Sequence, residues 1–137
     1  MADENVSEIT RDGLKELRQG MLRLHKILLD MERRGYERAR GQISNSYEFL
    51  QLALKDPWFD WLHRLSELIV QIDETLDTHD SDAPATEADA GALVERAKTL
   101  LSPSETGSEF QKNYFLALQQ SPDVVLLHSE IMRLLGR

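Results

Sequence analysis

Apolar residues recur every three or four positions along most of this 137-residue chain, the spacing that gathers them on one face of a helix. From residue 7 to about 40 the line is Leu14, Leu17, Met21, Leu24, Leu28 and Met31, with Ser7, Asp12, Glu16 and several arginines between. Leu22, Ile27 and Leu29 widen the stripe beyond a coiled-coil seam, as in a bundle helix with two neighbours. Gly13, Gly20 and Gly35 each cost roughly 1 kcal/mol relative to Ala inside a helix. They mark close helix approach or, near Gly35, a break. Gly41 is the expected stop. Ser44, Asn45 and Ser46 offer caps for a short second helix carrying Phe49, Leu50, Leu52, Ala53 and Leu54.

Asp56-Pro57 comes next. Asp caps helices well and Pro suits the first helical position, so this pair opens a new helix or kinks the chain. Beyond it, Trp58, Leu62, Leu65, Ile69, Ile72 and Leu76 alternate by four and three, with Phe59, Trp61 and Leu68 beside them. That is an unusually wide apolar face. The pattern stops at residues 77–91, DTHDSDAPATEADAG, which reads as an acidic, exposed linker between two helical halves. Thr86 is placed to cap a helix over 87–102 with Leu93, Ala97, Leu100 and Leu101 inward, ended by Ser102-Pro103-Ser104. Phe110, Tyr114, Phe115 and Leu118 define a further segment. Ser121-Pro122-Asp123 then opens a last helix through Val125, Leu126, Ile131, Leu134 and Leu135. No strand-like alternation, internal repeat or Gly-rich phosphate loop is present. The predicted fold is all-α: one domain over residues 1–137, an up-and-down helical bundle of four main arms broken near Pro57 and Pro122.

Charge narrows the function. The net charge is −8, and it is uneven: residues 1–70 hold 11 basic and 12 acidic side chains, residues 71–137 hold 5 and 12, giving −1 and −7. This balance argues against nucleic acid and anionic membranes, where neutralised phosphate drives binding. The absence of cysteine removes disulfides, thiolate metal sites and Cys nucleophiles. The opening MADENVSEIT lacks the basic and apolar regions of a secretory signal, and no run approaches the roughly 18 apolar residues of a membrane span. The expectation is a cytoplasmic protein without cofactor or small-molecule ligand.

Three groups of side chains are candidates for chemistry. Trp58, Phe59 and Trp61 occupy three of four consecutive positions. Each ring buries about 150–250 Å², so a core role comes first. Three such neighbours cannot all face one way on one helix, however, so at least one reaches a second neighbour, solvent or another chain. Arg33, Arg34, Arg38 and Arg40 complement the macrodipole at the end of the first helix, with Glu32 and Glu37 near. They are also a candidate surface for an acidic partner, and residues 73–89, which hold seven acids and no Lys or Arg, could meet them within or between subunits. The third group is histidine. His25 and His63 are expected half-buried and hydrogen-bonded at seam edges, with His79 in the linker and His128 in the last helix. The rival reading gathers His25, His63, Glu67 and His128 around a metal or a small molecule, although the Glu-x-x-His pairs of di-iron bundles are missing.

Neither G-x-S-x-G nor H-E-x-x-H occurs, and no nucleophile pairs with a base. The sequence therefore reads as a non-enzymatic bundle mediating protein–protein interaction, as a homodimer or with a protein partner. Trp58, Phe59 and Trp61 would centre the interface, with Arg33, Arg34 and Arg38 as charged contributors. The alternative is a small-molecule or metal-binding four-helix bundle. A third reading makes the acidic linker the docking segment of a regulatory module.

Overall fold

Ser7 Oγ accepts the Thr10 backbone N–H at 3.1 Å, and this cap starts the first helix, α1, at Glu8. It runs unbroken to Arg40, where Gly41 leaves the helix at φ 106°. At 1.5 Å per residue such a helix is about 50 Å long. The computed structural model describes residues 5–136. Five further α-helices follow: α2 (Ser46–Lys55), α3 (His63–Asp77), α4 (Glu87–Leu100), α5 (Glu109–Gln120) and α6 (Pro122–Leu134). A 3-10 segment, Pro57–Leu62, precedes α3 and a shorter one, Thr78–Asp80, follows it. The fold is an all-α helical bundle with no strand among the described residues, and the chain breaks at Pro57 and Pro122 as expected. None of its helices is long and apolar enough to cross a membrane, among the described residues.

The predicted face of α1 is the one that packs. Leu14, Leu17, Met21, Leu24 and Leu28 are buried, and α1 lies against α3, α4 and α6. Gly20 faces α6 so closely that a Cβ there would sit 3.1 Å from Ile131 Cγ1. This is close helix approach. Gly35 breaks nothing: it lies inside the helix, and a Cβ there would be 3.6 Å from the Trp58 ring. One continuous core links Leu14 on α1 to Leu135 after α6.

Two expectations change. In α6 the buried residues are Val124, Leu127 and Ile131, followed by Leu135 just beyond the helix, whereas Val125, Leu126 and Leu134 are exposed. The pairs Val124-Val125 and Leu126-Leu127 allow two helical phases, and the approach of Ile131 to Gly20 fixes the one adopted. The acidic linker is shorter than 77–91, because α4 begins at Glu87 behind its Thr86 cap, the start expected from the cap itself. It is also tied down. The Val6 N–H donates to the Ala85 carbonyl at 3.2 Å, and Glu87 accepts from the Ser7 N–H (2.6 Å) and the Thr10 hydroxyl (2.9 Å). These hydrogen bonds hold the Glu87 carboxyl below its usual pKa. The segment thus clamps the start of α1 onto the start of α4.

Candidate functional site

The aromatic stretch owes its geometry to the 3-10 segment. Asp56 caps it, its carboxylate accepting the Trp58 N–H at 2.9 Å. A 3-10 helix has three residues per turn, so residues i and i+3 eclipse. Residues 57–62 therefore divide into three pairs. Pro57 and Asp60 point outward; Phe59 and Leu62 are fully inside; Trp58 and Trp61 share the third side, half-buried and buried respectively. The sequence spacing had grouped Trp58 with Leu62, as an α-helix would.

Each ring then meets different neighbours. Phe59 packs against Tyr36 of α1 (5.8 Å between centroids) and Phe49 of α2 (6.0 Å). Trp58 stands edge-on to Tyr36 at 5.7 Å, under the Arg40 guanidinium. Trp61 reaches the other way, to Phe110 of α5 at 5.4 Å. Phe59 and Trp61 are 0% and 8% exposed, so intramolecular packing already uses the surface that a dimer interface centred on these rings would need. The core role is the one the structure shows for them.

Trp61 also forms one wall of an open groove of about 610 Å³. Its floor is apolar: Trp61, Leu68 of α3, Leu100 of α4 and Phe110 of α5. Its rim is charged, with Asp60, Glu67, Glu95 and Glu109 against Arg64 and Arg96. Four carboxylates to two guanidinium groups leave a net negative rim. The α5 end is rigidly built. Ser108 and Gln111 form a reciprocal capping box, and Gln111 Nε2 donates to the Thr99 carbonyl of α4 at 2.8 Å. Arg96 is held by the Gln71 side-chain oxygen, and Glu95 by Lys98 at 3.2 Å.

Behind Trp61 a second cleft, about 550 Å³, is lined by Glu32, Trp58, Asp60, Glu109 and Asn113 among others. The Glu32 carboxyl is half-buried beside both indoles. Burial raises its pKa, and the neighbouring indole N–H groups oppose the rise. The Trp58 contact falls outside hydrogen-bond geometry, since Trp58 Nε1 is buried with no hydrogen-bond partner among the described residues. We read the attraction there as electrostatic.

The remaining candidates are dispersed. Arg33 stacks over Phe49 at 4.5 Å and lies 3.9 Å from Glu37, Arg40 approaches Asp56 at 3.9 Å, and Arg34 and Arg38 are exposed. The acidic segment packs at the opposite end of α1, where Arg18 pairs with Asp73 at 3.0 Å. Fifteen residues of helix, about 22 Å, separate Arg18 from Arg33, so the arginine cluster does not meet that segment within one chain. His63 Nε2 bonds the Ala53 carbonyl at 3.1 Å, His25 Nε2 bonds Ser66 Oγ at 2.9 Å, and His128 Nδ1 bonds the Tyr114 hydroxyl at 2.7 Å. His25 and His63 are half-buried and hydrogen-bonded as expected. Glu67 lies on the groove rim instead. Among the described residues no three His, Cys, Asp or Glu side chains are grouped to hold a metal ion.

His25 and His128 give the fold a pH response. Burial, then the nearby His63, lowers the pKa of His25, and burial lowers that of His128. Below the unfolded value of 6.5 the unfolded chain takes up these protons before the folded one does. Stability is therefore fully present above that value and lost as pH falls from it through the lower folded values. Glu32 works in the opposite sense, since its raised pKa favours the folded state on the acid side. The expected outcome is a lower melting temperature at pH 5.5 than at pH 7.5, with the difference reduced in His25→Gln and His128→Gln. An unchanged pH difference in both variants would refute the assignment.

The groove residues Arg64, Glu95, Arg96 and Glu109 carried no signal in sequence, and Phe110 read only as an apolar helix position, because the cavity forms only where the 3-10 segment, α3, α4 and α5 come together. No protein-family model, curated protein or solved structure matches the chain.

Proposed function

We propose that the protein is a non-enzymatic interaction module that holds a cationic, amphipathic segment of a partner protein in the Trp61 groove. The observation that carries this reading is the pairing of an apolar floor with a net acidic rim in this groove. An apolar side chain of the partner would seat between Trp61, Leu68, Leu100 and Phe110. Its basic residues would meet Asp60, Glu67 and Glu109, in the helix-in-groove mode of recognition. Rim charges of this kind set orientation and association rate more than affinity. The same acids disfavour phosphate-bearing partners, in keeping with the net charge of −8.

Tryptophan emission offers the test, since Trp61 lines the groove and Trp58→Phe leaves it as the remaining tryptophan. An amphipathic Leu/Lys helical peptide is expected to shift that emission saturably, and a Leu/Glu peptide of equal length is not. Reversing Glu67 and Glu109 to Lys together is expected to weaken binding at least tenfold, about 1.4 kcal/mol. Circular dichroism checks that the helices persist. Equal response to the two peptides, or indifference to the double reversal, sinks the proposal.

A second reading rests on size. The groove volume lies within the roughly 300–1,000 Å³ of small-molecule sites, and the same lining suits a small amphiphilic cation. Native mass spectrometry of the purified protein separates the two, because a stoichiometric low-mass adduct would favour the small molecule.

A further inference from the structure

A different surface points to a different partner. Helix α2 contains no buried residue, although six of its ten side chains are apolar. Its inner side, Phe49, Leu52 and Ala53, is half-buried against the core. On its outer side Tyr47, Leu50 and Leu54 are 72%, 53% and 56% exposed. Their spacing of three and four makes them one stripe. A helix of ten residues is marginal alone, and this one is fastened by the Asn45 cap at 2.8 Å, the Phe49–Phe59 contact and the His63 bond to Ala53.

We propose that this stripe docks on the same stripe of a second copy, with the two α2 helices antiparallel about a two-fold axis near Leu50 and Gln51. The charges select this occupant. Glu48 and Lys55 lie seven residues apart, so both fall on the line that flanks the stripe on its Gln51 side. Two turns, about 10 Å, keep them from pairing within one helix, and neither belongs to an ion pair among the described residues. A two-fold axis reverses the line. Glu48 of each copy then faces Lys55 of the other, Tyr47 meets Leu54 across the seam, and Leu50 meets its own counterpart. A parallel two-fold pairing puts the two Gln51-side lines on opposite sides of the seam, so neither Glu48 nor Lys55 meets its complement. The surface is thus self-complementary in both shape and charge, as a two-fold interface requires. A stable interface covers about 800 Å² per partner. A ten-residue helix offers less, so the dimer is weak and reversible. This inference is independent of the groove and stands or falls without it.

Sedimentation equilibrium of the full chain between about 1 and 500 µM tests it. The expected result is a concentration-dependent monomer–dimer equilibrium, with Leu50→Asp monomeric throughout. Glu48→Lys and Lys55→Glu are each expected to dimerise at least tenfold more weakly, because each brings like charges together twice. An equimolar mixture of the two is expected to recover dimer, since both cross-contacts then become opposite in sign. A wild-type monomer up to 500 µM overturns the proposal. So does a dimer that survives Leu50→Asp, or a mixture no more dimeric than its components. Far-ultraviolet circular dichroism of each variant establishes that the loss is not unfolding.

Discussion

Phe59→Ala is expected to lower the unfolding free energy by about 3–5 kcal/mol, the cost of removing a buried aromatic and leaving a cavity. Trp58→Ala, one residue away, is expected to cost about 1–2 kcal/mol, within the range of ordinary single substitutions. The contrast follows from placement. Phe59 is 0% exposed at the junction of α1, α2 and the 3-10 segment, with Tyr36 and Phe49 on its flanks. Its removal opens a void that three elements share, and α2 has no buried residue of its own to make up the loss. Trp58 is half-buried against α1, and its indole N–H lacks a hydrogen-bond partner among the described residues. Truncation there removes an edge contact with Tyr36 and a cation–π contact with Arg40. It also relieves an unsatisfied donor, which offsets part of the loss. Urea denaturation measures both values, and an equal or larger loss at Trp58 would show that the division of faces in residues 57–62 is wrong.

That division marks where sequence reasoning reached its limit. The helical period and the cap chemistry are local properties, and local inspection found them. Ser7, Asn45, Thr86 and Ser121 each accept a backbone N–H of the first helical turn through a side-chain oxygen, and the last three do so where expected. The apolar line of α1 was legible for the same reason, since one helical phase accounts for Leu14 through Leu28. Residues 57–62 were misgrouped because α and 3-10 periods differ by half a residue per turn, and over one turn that moves Trp58 from the core side to the Glu32 side. The phase of α6 was ambiguous for want of a neighbour. The paired polar contacts were out of reach altogether. His25 and Ser66 are 41 residues apart, and Tyr114 and His128 are 14 apart on different helices. The groove belongs with these, because its floor draws one or two residues from each of four elements.

Tyr114→Ala is expected to be as costly as Phe59→Ala, about 3–5 kcal/mol, and to weaken the Leu/Lys peptide as well. Tyr114 is fully buried; its ring stacks on Phe110 at 5.5 Å, and its hydroxyl bonds His128 Nδ1 at 2.7 Å. Burial raises its phenol pKa, so at neutral pH the pair is an uncharged hydrogen bond. It joins α5 to α6. The ring is also the support behind Phe110, which in turn backs Trp61. Truncation leaves Phe110 without its neighbour, and the groove floor has space into which to collapse. Tyr114→Phe separates the two contributions. It keeps the stacked ring and deletes the hydroxyl, leaving His128 Nδ1 unpaired at a cost of about 1–3 kcal/mol. Peptide affinity should then stay within about twofold of wild type, below 0.5 kcal/mol, because the floor is intact. If Tyr114→Phe weakened the peptide as much as Tyr114→Ala does, the α5–α6 hydrogen bond and not aromatic packing would be what shapes the groove.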